Sequence, residues 1–296
     1  MPPAEASEPT ERAQPHDAPL RVAWVFSLAR SGSSITAYAA ADALGAAVAD
    51  EVLGPWDRTG PPYGYPKPQA ALAEAFKASH AALTPDIASE LDSLLRTIAA
   101  EGCTDRVVCK HPHLRFTPEE LAERFPDHAA VWLIRNPLKR LASIHARGWT
   151  SIIRPNHDLD FFREYAQRWL ALPEERRLIF EHLASNPEAY FRNVLRAWGW
   201  PSDEAIIERA VGYQRAHYHG RSGEIEAERT HRRSLSDRSR TAPTEAVELY
   251  LRDPFMQDLF KICGWSLRKR DYLPTLAQRA RRRAGAIRRR FQRGSA

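Results

Sequence analysis

A short cluster of small and basic residues has the composition of an anion-binding loop. The cluster comprises Arg30, Ser31, Gly32, Ser33 and Ser34. It follows an apolar run that predicts a strand and precedes an alanine-rich segment that predicts a helix. Backbone N–H groups at a helix N-terminus, together with hydroxyls and a guanidinium, bind phosphate or sulfate groups. The same pattern also fits a plain strand–turn–helix connection in which a serine caps the helix.

The cluster departs from the loop of enzymes that hydrolyse ATP or GTP. That loop requires glycine, four residues, glycine, lysine and then serine or threonine. Ser27 stands at the first glycine position and Ser33 at the lysine position, so the usual charge on the terminal phosphates is missing. The positive charge precedes the glycine instead, at Arg30. This arrangement favours a donor other than a metal-bound triphosphate.

A second candidate anion site follows the apolar run from Ala130 to Ile134. Arg135 comes directly after this predicted strand, and Ser143 lies eight residues further on, about two helical turns away. An arginine at the C-terminal end of a strand and a hydroxyl on the next helix meet at the edge where open α/β sheets bind ligands. An isolated arginine could instead pair with a surface carboxylate.

The two clusters together resemble the sulfotransferase family that uses 3′-phosphoadenosine-5′-phosphosulfate (PAPS). The family's first loop, commonly Arg/Lys-Ser-Gly-Thr-Thr, matches Arg30 to Ser34 with serine in place of threonine. Its second motif, Arg-Asn/Asp-Pro with a serine eight residues after the arginine, matches Arg135 to Pro137 and Ser143. A third segment, Phe180 to Leu183, is similar to the family's Tyr-Glu-Asp-Leu, and the resemblance extends over about residues 21–265.

The resemblance implies that the first loop holds the 5′-phosphosulfate and that Arg135 and Ser143 hold the 3′-phosphate. It implies direct in-line transfer of the sulfo group, without a metal, to a hydroxyl or amine of a small-molecule, lipid or carbohydrate acceptor. Two family features are missing. Ile35 stands where many members have tryptophan near the adenine, and the late Gly-x-x-Gly-x-Trp-Lys motif is incomplete. We therefore predict that Arg232 and Arg233 supply substitute cations for the 3′-phosphate.

Sulfuryl transfer also requires cations near the leaving group and a base for the acceptor. Negative charge develops on the bridging oxygen as its bond to sulfur breaks, so nearby cations stabilise the transition state. We predict this role for Arg30 and Lys110, although Lys110 could also be a strand-end lysine that faces water. Three general bases stay open. They are Glu51, where several branches of the family place a glutamate, and His111 and His113, which follow Lys110. Glu51 could instead be a solvent-exposed residue after a helix.

The elements that would position these residues alternate between strand and helix. This order predicts an α/β fold with a single parallel β-sheet flanked by helices, a P-loop-like three-layer sandwich. The predicted strands are Val22–Phe26, Arg106–Lys110, Val131–Ile134 and Leu178–Phe180. The predicted helices are Ser34–Val48, Asp86–Ala100, Pro118–Phe125, Leu138–His145, Leu159–Leu170 and Pro187–Trp198. An irregular loop is expected from Gly54 to Pro68, either as a wall of the acceptor site or as a surface crossover.

Composition is that of an ordinary folded protein. The 296 residues are 43% hydrophobic and 27% charged, which suits one α/β domain. No apolar run reaches the length of about 18 residues that spans a membrane. We expect a disordered segment at residues 1–19, a sulfotransferase domain at 20–272 and a basic tail at 273–296. The three cysteines show no metal-ligand spacing and are odd in number, which suits the reducing environment of the cytoplasm.

The C-terminal tail concentrates positive charge. From Leu276 to Ala296 it carries eight arginines and no acidic residue. We expect this tail to form a basic amphipathic helix. A helix of this kind lies on an anionic membrane or on nucleic acid, or it is solvated and caps the domain. Because the net charge of +6 owes much to this tail, nucleic acid is not the expected partner of the domain itself. Two other functions stay open: a P-loop kinase or nucleotide hydrolase, and a non-enzymatic tethering protein.

Overall fold

The computed structural model describes residues 19–53, 68–79, 82–111, 118–145, 155–218 and 242–273. These residues contain five strands. They are β1 (Arg21–Ser27), β2 (Ala47–Asp50), β3 (Arg106–His111), β4 (Ala129–Ile134) and β5 (Arg177–Ile179). The strands form one sheet in the order β2-β3-β1-β4-β5, and every neighbouring pair is parallel. The predicted single parallel sheet flanked by helices is therefore confirmed.

The helices of the described residues fill the connections and both faces of the sheet. They are α1 (Ser33–Leu44), α2 (Pro68–Ala78), α3 (Pro85–Glu101), α4 (Pro118–Arg124), α5 (Pro137–His145), α6 (Pro155–Ala171), α7 (Phe180–Ser185), α8 (Pro187–Ala197), α9 (Glu204–Tyr218), α10 (Thr244–Arg252) and α11 (Pro254–Ile262). Proline opens many of them, because its fixed φ suits the first helical position, where an N–H would have no helical partner. None is long and apolar enough to cross a bilayer.

Apolar side chains pack against both faces of the sheet in two separate clusters. Along β1, Trp24 and Phe26 point to one face and Ala23 and Val25 to the other, as the period of a strand requires. The first face carries an aromatic stack in which the ring of Phe26 lies 5.4 Å from Trp24 and 5.0 Å from Trp132. The second face packs on the alanines of α1. Burial on both faces makes β1 the centre of the domain.

The predicted first helix is too long. It ends at Leu44 and not at Val48, because Gly45 adopts a left-handed conformation with φ 64°. The chain then turns into β2, which pairs in parallel with β3. Alanine favours helix, but pairing with a buried neighbouring strand outweighs that local preference. Phe180 also differs from its predicted place, since it begins α7 and does not end β5.

Several predicted segments fall outside the described residues. They are nearly all of the N-terminal segment at 1–19, the irregular loop from Gly54 to Pro68 except for Pro68 itself, which begins α2, and the tail after residue 273. The division of the chain into these segments and a central domain therefore stays a prediction.

Candidate active site

The predicted site residues lie near β1, the strand from which the sheet extends in both directions. From β1 the sheet extends through β3 and β2 on one side and through β4 and β5 on the other. In open α/β sheets, the crevice at the carboxyl ends of the strands on either side of such a change in direction is the usual place for a ligand. The β1–α1 loop, the β4–α5 turn and the ends of β2 and β3 all lie at this edge of the sheet.

The β1–α1 loop has the backbone of an anion-binding turn. Arg30 and Gly32 both adopt left-handed conformations, with φ 70° and 97°. Gly32 is the residue before α1, and no side chain among the described residues caps the helix. The alternative of a serine N-cap is therefore wrong for this loop. The first N–H groups of α1 have no helical acceptor and are available to solvent or an anion.

Glycine is required at position 32 by packing as well as by backbone conformation. A Cβ on Gly32 would lie only 2.0 Å from Cε2 of Phe180, the first residue of α7. The guanidinium of Arg135 lies over the same ring, with Cζ 4.7 Å from the ring centre. One aromatic ring therefore packs against both predicted anion sites.

The two predicted clusters are in direct contact. Arg135 Nη1 donates a hydrogen bond to the carbonyl oxygen of Arg30 at 2.8 Å. Arg30 Nε donates to Ser143 Oγ at 3.4 Å. Ser143 is only 1% exposed, and Arg135 is also buried. The residues that the sequence predicts for the two ends of a nucleotide thus lie at one place.

Asn136 fixes the β4–α5 turn from both sides. Its Oδ1 accepts hydrogen bonds from the backbone N–H groups of Leu138 and Lys139, at 3.1 and 3.2 Å, and so caps α5. Its Nδ2 donates to the hydroxyl of Tyr272 at 3.0 Å. Burial raises the pKa of Tyr272 to about 12. The turn after β4 is therefore tied to the C-terminal part of the described chain.

A buried ion pair supports the same region. Arg140 of α5 pairs with Asp158 of α6, and the hydroxyl of Tyr250 donates to Asp158 Oδ2 at 2.7 Å. Burial raises the pKa of Tyr250 well above its ordinary value. Arg140 Nη1 also reaches the carbonyl oxygen of Ala29, in the β1–α1 loop, at 3.5 Å. No spacing in the sequence predicts this network, and its one local sign is an arginine among the apolar positions of α5.

Lys110 lies between two carboxylates. Its Nζ is 2.7 Å from Asp50 Oδ1 and 2.5 Å from Glu51 Oε1, and Tyr38 donates to Asp50 Oδ2 at 2.9 Å. Lys110 is 5% exposed, so the alternative of a lysine that faces water is wrong. The side chain of Glu51 is 12% exposed, so this residue is not a solvent-exposed one after a helix either.

Backbone pairing creates this cluster. Asp50 and Lys110 are register partners across β2 and β3. Glu51 continues the contact because its N–H donates to the carbonyl oxygen of Lys110 at 2.8 Å. Its φ of 58° lies in the left-handed region, which non-glycine residues seldom adopt. The position of Glu51 is thus set by the end of the sheet.

One of the predicted bases, His111, lies apart from this cluster. His111 follows Lys110 in β3 and therefore points to the opposite face, where it is buried with its ring 6.4 Å from that of Phe76. His113, Arg232 and Arg233 lie outside the described residues. Within the described ranges, no group of three or more histidine, cysteine, aspartate or glutamate side chains could hold a metal ion.

Comparison with solved structures finds sulfotransferases. Sulfotransferase STF9 from Mycobacterium avium is 15% identical over 85% of this chain and 79% of that one, with a TM-score of 0.49. The sulfotransferase domain of the Synechococcus PCC 7002 olefin synthase is 17% identical over 88% and 90%, with a TM-score of 0.39. The sulfotransferase from Alicyclobacillus acidocaldarius is 14% identical over 72% and 99%, with a TM-score of 0.40.

Comparison at the level of sequence gives the family. No curated protein matches the chain. A family model described as "Sulfotransferase family" matches residues 55–204, half of the chain. The match includes Lys110, Arg135 and Ser143 and begins after the β1–α1 loop and Glu51. On this match the chain belongs to the sulfotransferase family.

Proposed function

We propose that this protein transfers the sulfo group of PAPS to a hydroxyl or amine of a small-molecule, lipid or carbohydrate acceptor. The observation that carries the proposal is the contact between the two anion clusters, in which Arg135 Nη1 lies 2.8 Å from the carbonyl oxygen of Arg30. PAPS carries its 5′-phosphosulfate and its 3′-phosphate on one ribose. Two sites that bind these groups must therefore be neighbours, as these clusters are.

The donor set suits this ligand chemically. The first N–H groups of α1 and the hydroxyls of Ser31, Ser33 and Ser34 would hold the 5′-phosphosulfate, favoured by the helix dipole. Arg135 and the hydroxyl of Ser143 would hold the 3′-phosphate through charge-assisted hydrogen bonds. None of these contacts requires a metal ion.

Glu51 is the proposed general base. It takes the proton of the acceptor hydroxyl or amine as the acceptor atom bonds to sulfur. The bond between sulfur and the bridging oxygen breaks, and its electron pair leaves with adenosine 3′,5′-bisphosphate. Lys110 contacts Glu51 at 2.5 Å and so orients the carboxylate, while its positive charge favours the developing anion. His111 and His113 stay the alternative bases.

The experiment is a mass-spectrometric screen for transfer. Purified protein is incubated with PAPS and a panel of phenols, sterols, amines and sugars, and products that gain a sulfo group are sought. Matched reactions contain Mg²⁺ and ATP in place of PAPS, which tests for a kinase. We expect sulfonated product only with PAPS. Phosphorylated product, or the absence of donor consumption with every acceptor, would contradict the proposal.

A further inference from the structure

We propose that Asp50, held by the hydroxyl of Tyr38, is a positioning residue for the transfer step and fixes the position of Lys110 beside Glu51. This inference rests on the proposed function, in which Glu51 is the base and Lys110 orients its carboxylate. Asp50 and Tyr38 support turnover through Lys110 and take no part in the binding of the donor.

Asp50 joins two elements through its two carboxylate oxygens. Its Oδ1 lies 2.7 Å from Nζ of Lys110 in β3, and its Oδ2 accepts a hydrogen bond from Tyr38, a residue of α1, at 2.9 Å. Asp50 is 7% exposed, and a buried carboxylate is costly unless its charge is compensated. The ammonium and the hydroxyl provide this compensation, so the two contacts hold the carboxylate in one orientation.

Asp50 gives Lys110 a fixed partner on the neighbouring strand. The two residues are register partners in β2 and β3, so strand pairing brings their side chains together. Glu51 lies beyond the end of β2, where its backbone is left-handed with φ 58°. Because lysine has a flexible four-carbon stem, a contact with Glu51 alone would let both side chains move together. The second contact, with Asp50, restricts that motion.

The charges of the cluster leave Glu51 able to accept a proton. Asp50, Glu51 and Lys110 bring two carboxylates to one ammonium. An ammonium paired with Glu51 alone would favour the ionised carboxylate and so oppose proton uptake from the acceptor. Because Asp50 shares the ammonium, Lys110 can orient Glu51 without fully neutralising it.

The test is a double-mutant cycle on turnover, with Asp50→Asn and Glu51→Gln made singly and together. Asparagine keeps the size of the side chain and an oxygen for Tyr38, but it removes the charge that faces Lys110. We expect Asp50→Asn alone to lower kcat roughly tenfold to hundredfold, as misplacement of a catalytic group does. In the Glu51→Gln background it should change kcat by less than about twofold, because the base on which it acts is absent. Turnover is measured by mass spectrometry with PAPS and the acceptor found by the transfer screen.

Donor affinity and a matched control separate positioning from general loss of structure. In Asp50→Asn, the Kd of adenosine 3′,5′-bisphosphate should stay within about twofold of wild type, because only the transfer step is affected. Tyr38→Phe removes the hydroxyl on Asp50 and should lower kcat roughly twofold to tenfold. Tyr165→Phe is the control, since it deletes a buried hydroxyl that donates to the carbonyl oxygen of Leu133 in β4, on the other side of β1. It should lower the free energy of unfolding but leave kcat unchanged.

The outcomes distinguish this inference from the function on which it rests. An equal loss of kcat from Asp50→Asn in both backgrounds, an unchanged kcat, or a parallel loss of nucleotide affinity would overturn the inference. If Asp50→Asn does not fold, the cycle of Tyr38→Phe with Glu51→Gln decides by the same comparison. A wild-type protein that sulfonates no acceptor would instead contradict the proposed function.

Discussion

Gly32 shows how one residue can serve two anion sites. Its φ of 97° gives the β1–α1 loop its shape, and its missing side chain leaves room for the ring of Phe180. That ring also lies against the guanidinium of Arg135. A side chain at position 32 should therefore displace the ring of Phe180 and so disturb Arg135 in the proposed 3′-phosphate site.

Replacement of Gly32 by alanine tests this link, with Gly45→Ala as a matched control. Gly45 is also left-handed, but nothing lies within 4 Å of an added Cβ there. We expect Gly45→Ala to cost only the backbone strain, roughly 1–2 kcal/mol of unfolding free energy. Gly32→Ala should cost a further 1–3 kcal/mol, roughly, from overpacking. It should also weaken adenosine 3′,5′-bisphosphate, as measured by urea unfolding and calorimetry. Equal effects of the two substitutions would contradict this account.

Glu51 is the residue on which the proposed chemistry depends. Glu51→Gln keeps the size of the side chain but removes the base, so turnover should fall roughly 10²–10⁴-fold while donor affinity changes little. Turnover is measured with the acceptor found by the transfer screen, and donor affinity by calorimetry. His111→Gln is the rival variant. A large loss in His111→Gln, together with normal turnover in Glu51→Gln, would assign the base to His111.

At the scale of elements, residues beyond the end of the family match also stabilise the site. The match ends at residue 204, before α10 and α11. Tyr250 of α10 nevertheless holds Asp158 and, through it, Arg140 of α5. Glu181 of α7 likewise accepts hydrogen bonds from Trp265 Nε1 and from the backbone N–H of Asn136. The C-terminal part of the described chain thus stabilises the turn after β4.

His128, the residue before β4, makes a pH-dependent contact. His128 stacks on Phe125, with ring centres 4.4 Å apart, and accepts a hydrogen bond from Trp24 Nε1 at 3.1 Å. Burial lowers the pKa of His128 to about 4. His128 therefore takes up a proton near pH 6.5 in the unfolded chain but only near pH 4 in the folded chain.

This difference destabilises the fold in acid. The contribution of neutral His128 is fully present above about pH 6.5 and is lost as the pH falls toward 4, a change of about 3 kcal/mol. His128→Gln retains an acceptor for Trp24 and removes the titration. We expect urea unfolding between pH 7 and 4.5 to show a shallower fall in stability for this variant. An unchanged slope would show that other groups dominate.

The sequence predicted those parts of the site that local patterns determine. Arg30 to Ser34 and Arg135 are recognisable because each follows a buried apolar strand within a few residues. β2 escaped detection, since its alanines are typical of helix and only pairing with β3 makes them a strand. Asp50 as a partner of Lys110 depends on that same pairing. The network of Arg140, Asp158 and Tyr250 joins residues far apart in the chain, and no local pattern indicates it.

At the scale of the whole molecule, much of the positive charge lies in the C-terminal tail. The chain has a net charge of +6, and removal of the eight arginines in the tail would leave −2. The domain that carries the proposed donor site is therefore not strongly basic overall. Cytoplasmic location and contact of the tail with an anionic membrane stay predictions.

Deletion of residues 276–296 distinguishes donor binding by the domain from membrane contact by the tail. The described donor-site residues and Tyr272 all precede the deletion, so the affinity for adenosine 3′,5′-bisphosphate should stay within about twofold of wild type. Sedimentation with phosphatidylserine vesicles should be lost, and in the full-length chain it should weaken with salt because electrostatic attraction to a surface is screened. Loss of nucleotide affinity on deletion would indicate that the tail forms part of the nucleotide site.

The contact between the two anion clusters is tested most directly by calorimetric titration with adenosine 3′,5′-bisphosphate. We expect one site per chain with micromolar affinity. Arg135→Ala should weaken binding by roughly 1.5–3 kcal/mol, the value of a charge-assisted hydrogen bond to phosphate. A wild-type protein that does not bind this nucleotide, or an Arg135→Ala variant with unchanged affinity, would contradict the account.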